Sequence, residues 1–143
     1  MDTAADLSRL LGPLRRAVLR STRAAEGLPD LPDAQIEMLR VLSADGPLGT
    51  RAVAERLRIS PSTVSNLVRT MAAAGLVERH SSTTDLRAVD LSVTPHALEL
   101  LERYDRASRE TLEQAMDTLP PGDRDTLTAA MPALTRLANA LGG

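Results

Sequence analysis

A chain of 143 residues, 43% of them hydrophobic, is one domain's worth and holds core enough to fold. It has no cysteine, which excludes disulfides and thiol redox chemistry, and no run of about 20 apolar residues, which excludes a membrane-spanning helix. The net charge is −2, and all 17 basic residues are arginine.

In chain order, the opening MDTAADLSRL carries acids and no basic segment, so it does not read as a secretory signal and a cytoplasmic protein is expected. Leu7, Leu10, Leu11, Leu14 and Val18 form a helical stripe that ends before Gly27-Leu28-Pro29. Pro13 falls inside this pattern and is expected to kink or break it. Arg15, Arg16, Arg20 and Arg23 give the same helix a basic face, read as solvated. Ile36, Leu39 and Leu42 stripe a second helix.

The segment from Thr50 to Thr94 is the informative one. Thr50 reads as an N-cap, with Val53 and Leu57 following at i, i+4. After a short break at Arg58-Ile59, Ser60 reads as a second N-cap, with Pro61 at the first helical position. Val64, Leu67, Val68 and Met71 then make one apolar stripe, which must pack on Val53 and Leu57. The opposite face carries Ser62, Thr63, Ser65, Asn66, Arg69 and Thr70, and the helix start offers free N–H groups suited to phosphate. Gly75 fits the left-handed position that stops the helix. Leu76 to His80 and Arg87 to Val93 read as strands, joined by a polar loop, 81–86, that should project. This is the pattern of a winged helix-turn-helix, with a helix for the major groove and a β-loop for the flanking DNA.

Thr94-Pro95 repeats the Ser-Pro device and opens a helix of about 24 residues, marked by Ala97, Leu101, Tyr104, Leu112, Ala115 and Leu119. Pro120-Pro121-Gly122-Asp123 is a turn with Asp123 as expected N-cap. Leu127, Met131, Leu134, Leu137 and Leu141 stripe a last helix, interrupted in pattern by Pro132.

Several chemistries lose their footing. His80 and His96 are the only histidines, too few for a zinc site without acidic help, so no metal is expected. Ser62 and Ser65 have no nearby histidine and no nucleophile elbow, and no phosphate loop or dinucleotide fingerprint exists. No catalytic residue, cofactor or enzymatic activity is expected. Charge is unevenly placed: residues 49–94 hold six arginines against four acids, while the remainder is acidic. That split weighs little alone.

The chain resembles the MarR-type regulators. The resemblance rests on LPDAQIEMLRVL (31–42), GPLGTRAVAERL (46–57), SPSTVSNLV (60–68), GLVER (75–79), DLR (85–87) and LSVTPHALELL (91–101), in that order and spacing. It implies a mainly α fold with a small β-wing: a winged helix-turn-helix over 48–94, flanked by dimerisation helices at 1–30 and 95–143, in one domain spanning 1–143. It implies a homodimeric regulator of double-stranded DNA, more often repressor than activator, covering a pseudo-palindromic operator. It also implies a small-molecule effector of unknown identity and no membrane. The DNA-contacting residues would be Thr50, Ser60, Pro61, Ser62, Thr63, Ser65, Asn66 and Arg69, with Thr83, Asp85 and Arg87 in the wing. Asn66 and Arg69 are the expected base readers.

Three departures from the family pattern stand out, Pro13 and Pro132 inside their helical patterns being one. Leu86 stands where an arginine is common, and Arg58 where a glycine is common, so a left-handed Arg58 would be strained, the alternative being that it reaches a phosphate. The absence of cysteine excludes the peroxide-sensing branch of the family. With no Phe or Trp and only Tyr104, an effector pocket would be lined with Leu, Met, Val and Arg. The alternative reading is a ligand-binding or protein-interaction module that kept the fold and lost DNA binding.

Overall fold

The computed structural model describes residues 1–82 and 87–142. Among these, the chain runs α1 (Thr3–Glu26), α2 (Asp33–Asp45), β1 (Leu48–Gly49), α3 (Thr50–Leu57), α4 (Pro61–Ala73), β2 (Val77–Ser81), β3 (Val89–Val93), α5 (Pro95–Asp117) and α6 (Asp123–Gly142). The fold is the mainly helical winged helix-turn-helix that the sequence implied. The chain divides into two compact units, Thr22–Ala107 and Met1–Ser21 with Ser108–Gly143.

The first unit owes its compactness to one apolar cluster. Met38 and Leu39 of α2, Val53 of α3, Val64 and Met71 of α4, and Leu91 of β3 are all but sealed from solvent, and Ala97, Leu100 and Tyr104 of α5 join them. Each such Leu or Met contributes about 1.5–3 kcal/mol through burial. Leu57 and Leu67 pack against the same cluster, so the expected stripe of α4 does meet α3. Tyr104 donates its hydroxyl hydrogen to the carbonyl of Pro29, and Arg40 forks onto Asp105 at 2.7 and 3.3 Å. The hydrogen bond to Asp105 holds the Arg40 guanidinium above its ordinary range, keeping this tie between α2 and α5 charged.

The sheet has the order β1-β3-β2, all antiparallel. Leu48 faces Leu91, and Val77 to Ser81 pair with Val93 to Val89. The sequence reading missed β1, because two residues carry no periodicity. It also began the second wing strand too early: Arg87 lies in a turn, and pairing starts at Val89. Ser82 N–H still reaches the Ala88 carbonyl at 3.1 Å, closing the base of the wing.

Helix ends follow local chemistry, with two corrections. Thr50 and Asp123 are first helical residues rather than caps; the caps are Gly49, which has no side chain to offer, and the turn ending at Gly122. Ser60 caps α4 as expected, its Oγ accepting from Thr63 N–H at 3.2 Å. Thr94 caps α5, accepting from Ala97 N–H at 3.1 Å while donating to the Gly75 carbonyl at 2.6 Å. That hydroxyl ties the start of α5 to the end of α4.

The second unit holds the stripes of α1 and α6 and the later part of the α5 stripe, Leu112, Ala115 and Leu119. Neither proline breaks its helix: Pro13 lies inside α1 and Pro132 inside α6. Each removes a single hydrogen bond, and the turns on either side carry the helix through. Arg124 ties α6 to α5, pairing with Glu113 at 2.7 Å and Asp117 at 2.8 Å. No residue of α6 is buried. Leu14, Leu112, Met116, Leu119, Leu127, Met131 and Leu134 instead line an open apolar cleft of about 450 Å³. Among the described residues no helix is long and apolar enough to cross a membrane.

Candidate nucleic-acid interface

The helix-turn-helix is built from three devices. Arg58 ends α3 in the left-handed region, φ 56° and ψ 43°, with its N–H and that of Ile59 returning to carbonyls of α3. This sharp reversal is the turn of the motif, and the strain foreseen for a side chain there is present. Ser60 and Pro61 then start α4. At its far end Gly75, φ 73°, donates to Ala72 and Leu76 donates to Met71, the paired bonds of a Schellman stop.

Between those ends the helix has two faces. Val64, Val68 and Met71 are buried. Ser62, Ser65, Asn66 and Arg69, at i, i+3, i+4 and i+7, form one exposed row. Thr63 and Pro61 are also exposed at the helix start. The Ser60 Oγ lies 3.1 Å from that of Ser62 and 2.8 Å from that of Thr63, so three hydroxyls cluster at the N-terminal turn. Arg69 Nη2 donates to Asn66 Oδ1 at 2.7 Å.

The other site residues are spread wider. Thr50 opens α3 and is half-buried. Arg87 is exposed at the base of the wing, while Thr83 and Asp85 lie outside the described residues. His80 bonds Ser92 Oγ across the strands at 2.8 Å, and Glu78 is 3.6 Å away, which makes it part of the sheet surface. Arg56 is tied to Asp45 at 2.5 Å in a half-exposed surface pair. Arg23, expected in a solvated basic face, instead turns to Asp30 at 2.9 Å and the Leu31 carbonyl at 3.1 Å.

Sequence reasoning gave Arg79 no site role, counting it only among the arginines of the motif region and within a strand. It lines a concavity of about 190 Å³ with Thr50, Ser65, Val68, Val89 and Leu91. The available signal was the alternation of β2, where Arg79 shares the parity of buried Val77.

Comparison with known proteins gives a consistent result. Residues 30–88 match the MarR family. An HTH-type transcriptional regulator of Mycobacterium tuberculosis is 30% identical over 92% of this chain and 94% of its own length. RV1404 from M. tuberculosis has the same fold, with a TM-score of 0.76 at 19% identity, covering 95% of this chain and 94% of that one. So does an S. aureus MepR mutant bound to an oligodeoxyribonucleotide, with a TM-score of 0.68 at 21% identity and 99% of each chain covered.

Proposed function

Because the chain belongs to the MarR family of helix-turn-helix transcriptional regulators, we propose that it is a homodimeric repressor reading a pseudo-palindromic operator through the exposed row of α4. The observation that carries this reading is that row. Ser62, Ser65, Asn66 and Arg69 stand on solvent while the opposite face of the same helix is buried to within a few per cent. A helix fixed at both ends with a short polar face is built to enter a major groove by its N-terminal half. The hydroxyl cluster at Ser60, Ser62 and Thr63 suits backbone phosphates, and Asn66 and Arg69 suit purine edges. Thr50 would hold a phosphate beside α3, and Pro61 presents the helix start. In the wing, Thr83, Asp85 and Arg87 would reach the adjacent minor groove. The solved relative with an oligodeoxyribonucleotide shares the fold, which supports the same use of it here.

Dimerisation is supported by the second unit. Leu10, Leu11, Leu14, Leu127, Met131 and Leu134 are 37–55% exposed, an apolar surface that a monomer in water would leave uncovered. A twin chain covers such faces by two-fold symmetry. A repressor of this kind acts by occupying a promoter in the cytoplasm, and a small-molecule effector would release it by changing the separation of the two recognition helices.

The test is a mobility shift on the DNA upstream of the protein's own gene. The expected result is a discrete complex that random DNA competes poorly and that weakens steeply with salt. Equal binding to operator and random DNA, or none, would return the chain to the class of folds that lost DNA reading.

A further inference from the structure

We propose that Arg79, with the hydroxyls of Thr50 and Ser65, forms a seat for one phosphate of the DNA backbone between α4 and the wing sheet. The inference rests on the DNA-binding reading above and adds a residue to it. It starts from the alternation of β2. Val77, Arg79 and Ser81 share one face of the strand, and Glu78 and His80 the other. Val77 is buried, and Arg79 is registered opposite Leu91, which is also buried. Directly opposed residues of an antiparallel pair project to the same side. Arg79 is itself exposed, so the strand face that begins buried at Val77 presents a solvent-accessible guanidinium here.

Among the described residues, Arg79 has no carboxylate or carbonyl partner. What it has is the concavity of about 190 Å³, with Thr50 on one wall, Ser65 on another, and Val68, Val89 and Leu91 between them. Neither the Thr50 nor the Ser65 hydroxyl has a hydrogen-bond partner among those residues. Two hydroxyl donors and a five-donor fork thus line one hollow over an apolar floor, and no acid among the described residues lines it. That donor set fits a singly charged phosphodiester, and the low-dielectric floor strengthens the attraction. The hollow opens beside the reading row, since Ser65 belongs to both. A backbone phosphate seated there would fix the insertion of α4 without reading sequence. The competing account is an arginine that lays its stem over Leu91 and keeps its head in water, with no role in binding.

The experiment is fluorescence anisotropy on the upstream duplex and on a random duplex, from about 50 to 200 mM salt. For Arg79→Gln the affinity should fall roughly tenfold on both duplexes, leaving their ratio unchanged. The slope of log K against log salt should become shallower by about 0.9 per seat, or about 1.8 for a dimer using both. Arg79→Lys should keep the wild-type slope. Ser65→Ala should weaken both duplexes about threefold with no change of slope, and it carries the test if Arg79→Gln fails to fold. Wild-type affinity and slope in Arg79→Gln, or wild-type affinity in Ser65→Ala, would overturn the seat while leaving the proposed function intact. A loss confined to the upstream duplex would make Arg79 a base reader and overturn it equally. A wild-type protein that bound neither duplex would remove the proposed function and the seat together.

Discussion

Arg69 Nη2 donates to Asn66 Oδ1 at 2.7 Å, so the two side chains of α4 proposed to read bases are bonded to each other in the free protein. The bond is exposed and spans i, i+3, where such pairs contribute only about 0.2–0.5 kcal/mol. A bidentate contact with a purine edge discriminates by about 1–3 kcal/mol, so DNA wins wherever the two conflict. They need not conflict, because Oδ1 has a second lone pair for an adenine amino group and Nδ2 remains to donate. The pair therefore holds both side chains in the row before DNA arrives.

Asn66→Ala should cost about 1–3 kcal/mol of discrimination between operator and random DNA, and Arg69→Ala a similar amount. The double variant should lose less than the sum by about 0.5–1 kcal/mol, because each single change also frees its neighbour. Additive losses in a binding cycle would show that the two read DNA independently.

The local geometry of α4 was legible because its signals are chemical and short-ranged. Ser60 accepts from the third N–H of the helix, Pro61 tolerates the missing donor, and Gly75 takes the positive φ. The exposed row followed from the buried stripe, which has only one helical solution. What escaped lacks such signals. Strand β1 is two residues long and exists through its pairing with Leu91 and Asp90. Thr50 and Asp123 have the chemistry of caps, yet the helices take them as first residues. Pro13 and Pro132 were expected to kink or break their helices; neither breaks, because a sequence shows the lost hydrogen bond but not the intact turns around it. Arg79 was missed because a charge in a strand reads as surface, which it is, and the sequence does not show that Thr50 and Ser65 line one hollow with it.

Arg58 holds φ 56°, at a cost of about 1–2 kcal/mol for a residue with a Cβ. Arg58→Gly should raise stability by about 0.5–1 kcal/mol in urea titration, the relief partly offset by the freer unfolded chain. Arg58→Val, branched at Cβ, should lower it by about 1–2 kcal/mol. Equal stability for the glycine and valine variants would mean that the turn relaxes away from the left-handed region.

Assembly can be tested without DNA. Light scattering at micromolar concentration should give about twice the chain mass of 15.3 kDa. Met131→Glu places a charge in the apolar cleft of the second unit, where the wild-type side chain is 53% exposed. It should shift the protein to monomer while the helical circular dichroism is retained. A dimer untouched by Met131→Glu would move the interface elsewhere; a wild-type monomer would remove the two-half-site operator.

Arg87 separates the wing from the helix. It is exposed in the turn before β3, beside the bond from Ser82 N–H to the Ala88 carbonyl. An arginine there would meet the negative potential of a narrow minor groove as α4 occupies the adjacent major groove. Its neighbour Leu86 supplies no second positive charge. Arg87→Ala should leave the melting temperature nearly unchanged, because an exposed charge contributes about 0–1 kcal/mol to folding. It should nevertheless weaken operator binding about tenfold, roughly 1.4 kcal/mol. The loss should be larger on operators with A·T-rich flanks, whose minor groove is narrower, than on G·C-rich ones. Asp85→Ala should show a smaller loss of the same kind if the carboxylate two residues away orients the guanidinium. Wild-type affinity in Arg87→Ala on both flanks would make the wing a passive strut and leave recognition to the row from Ser62 to Arg69.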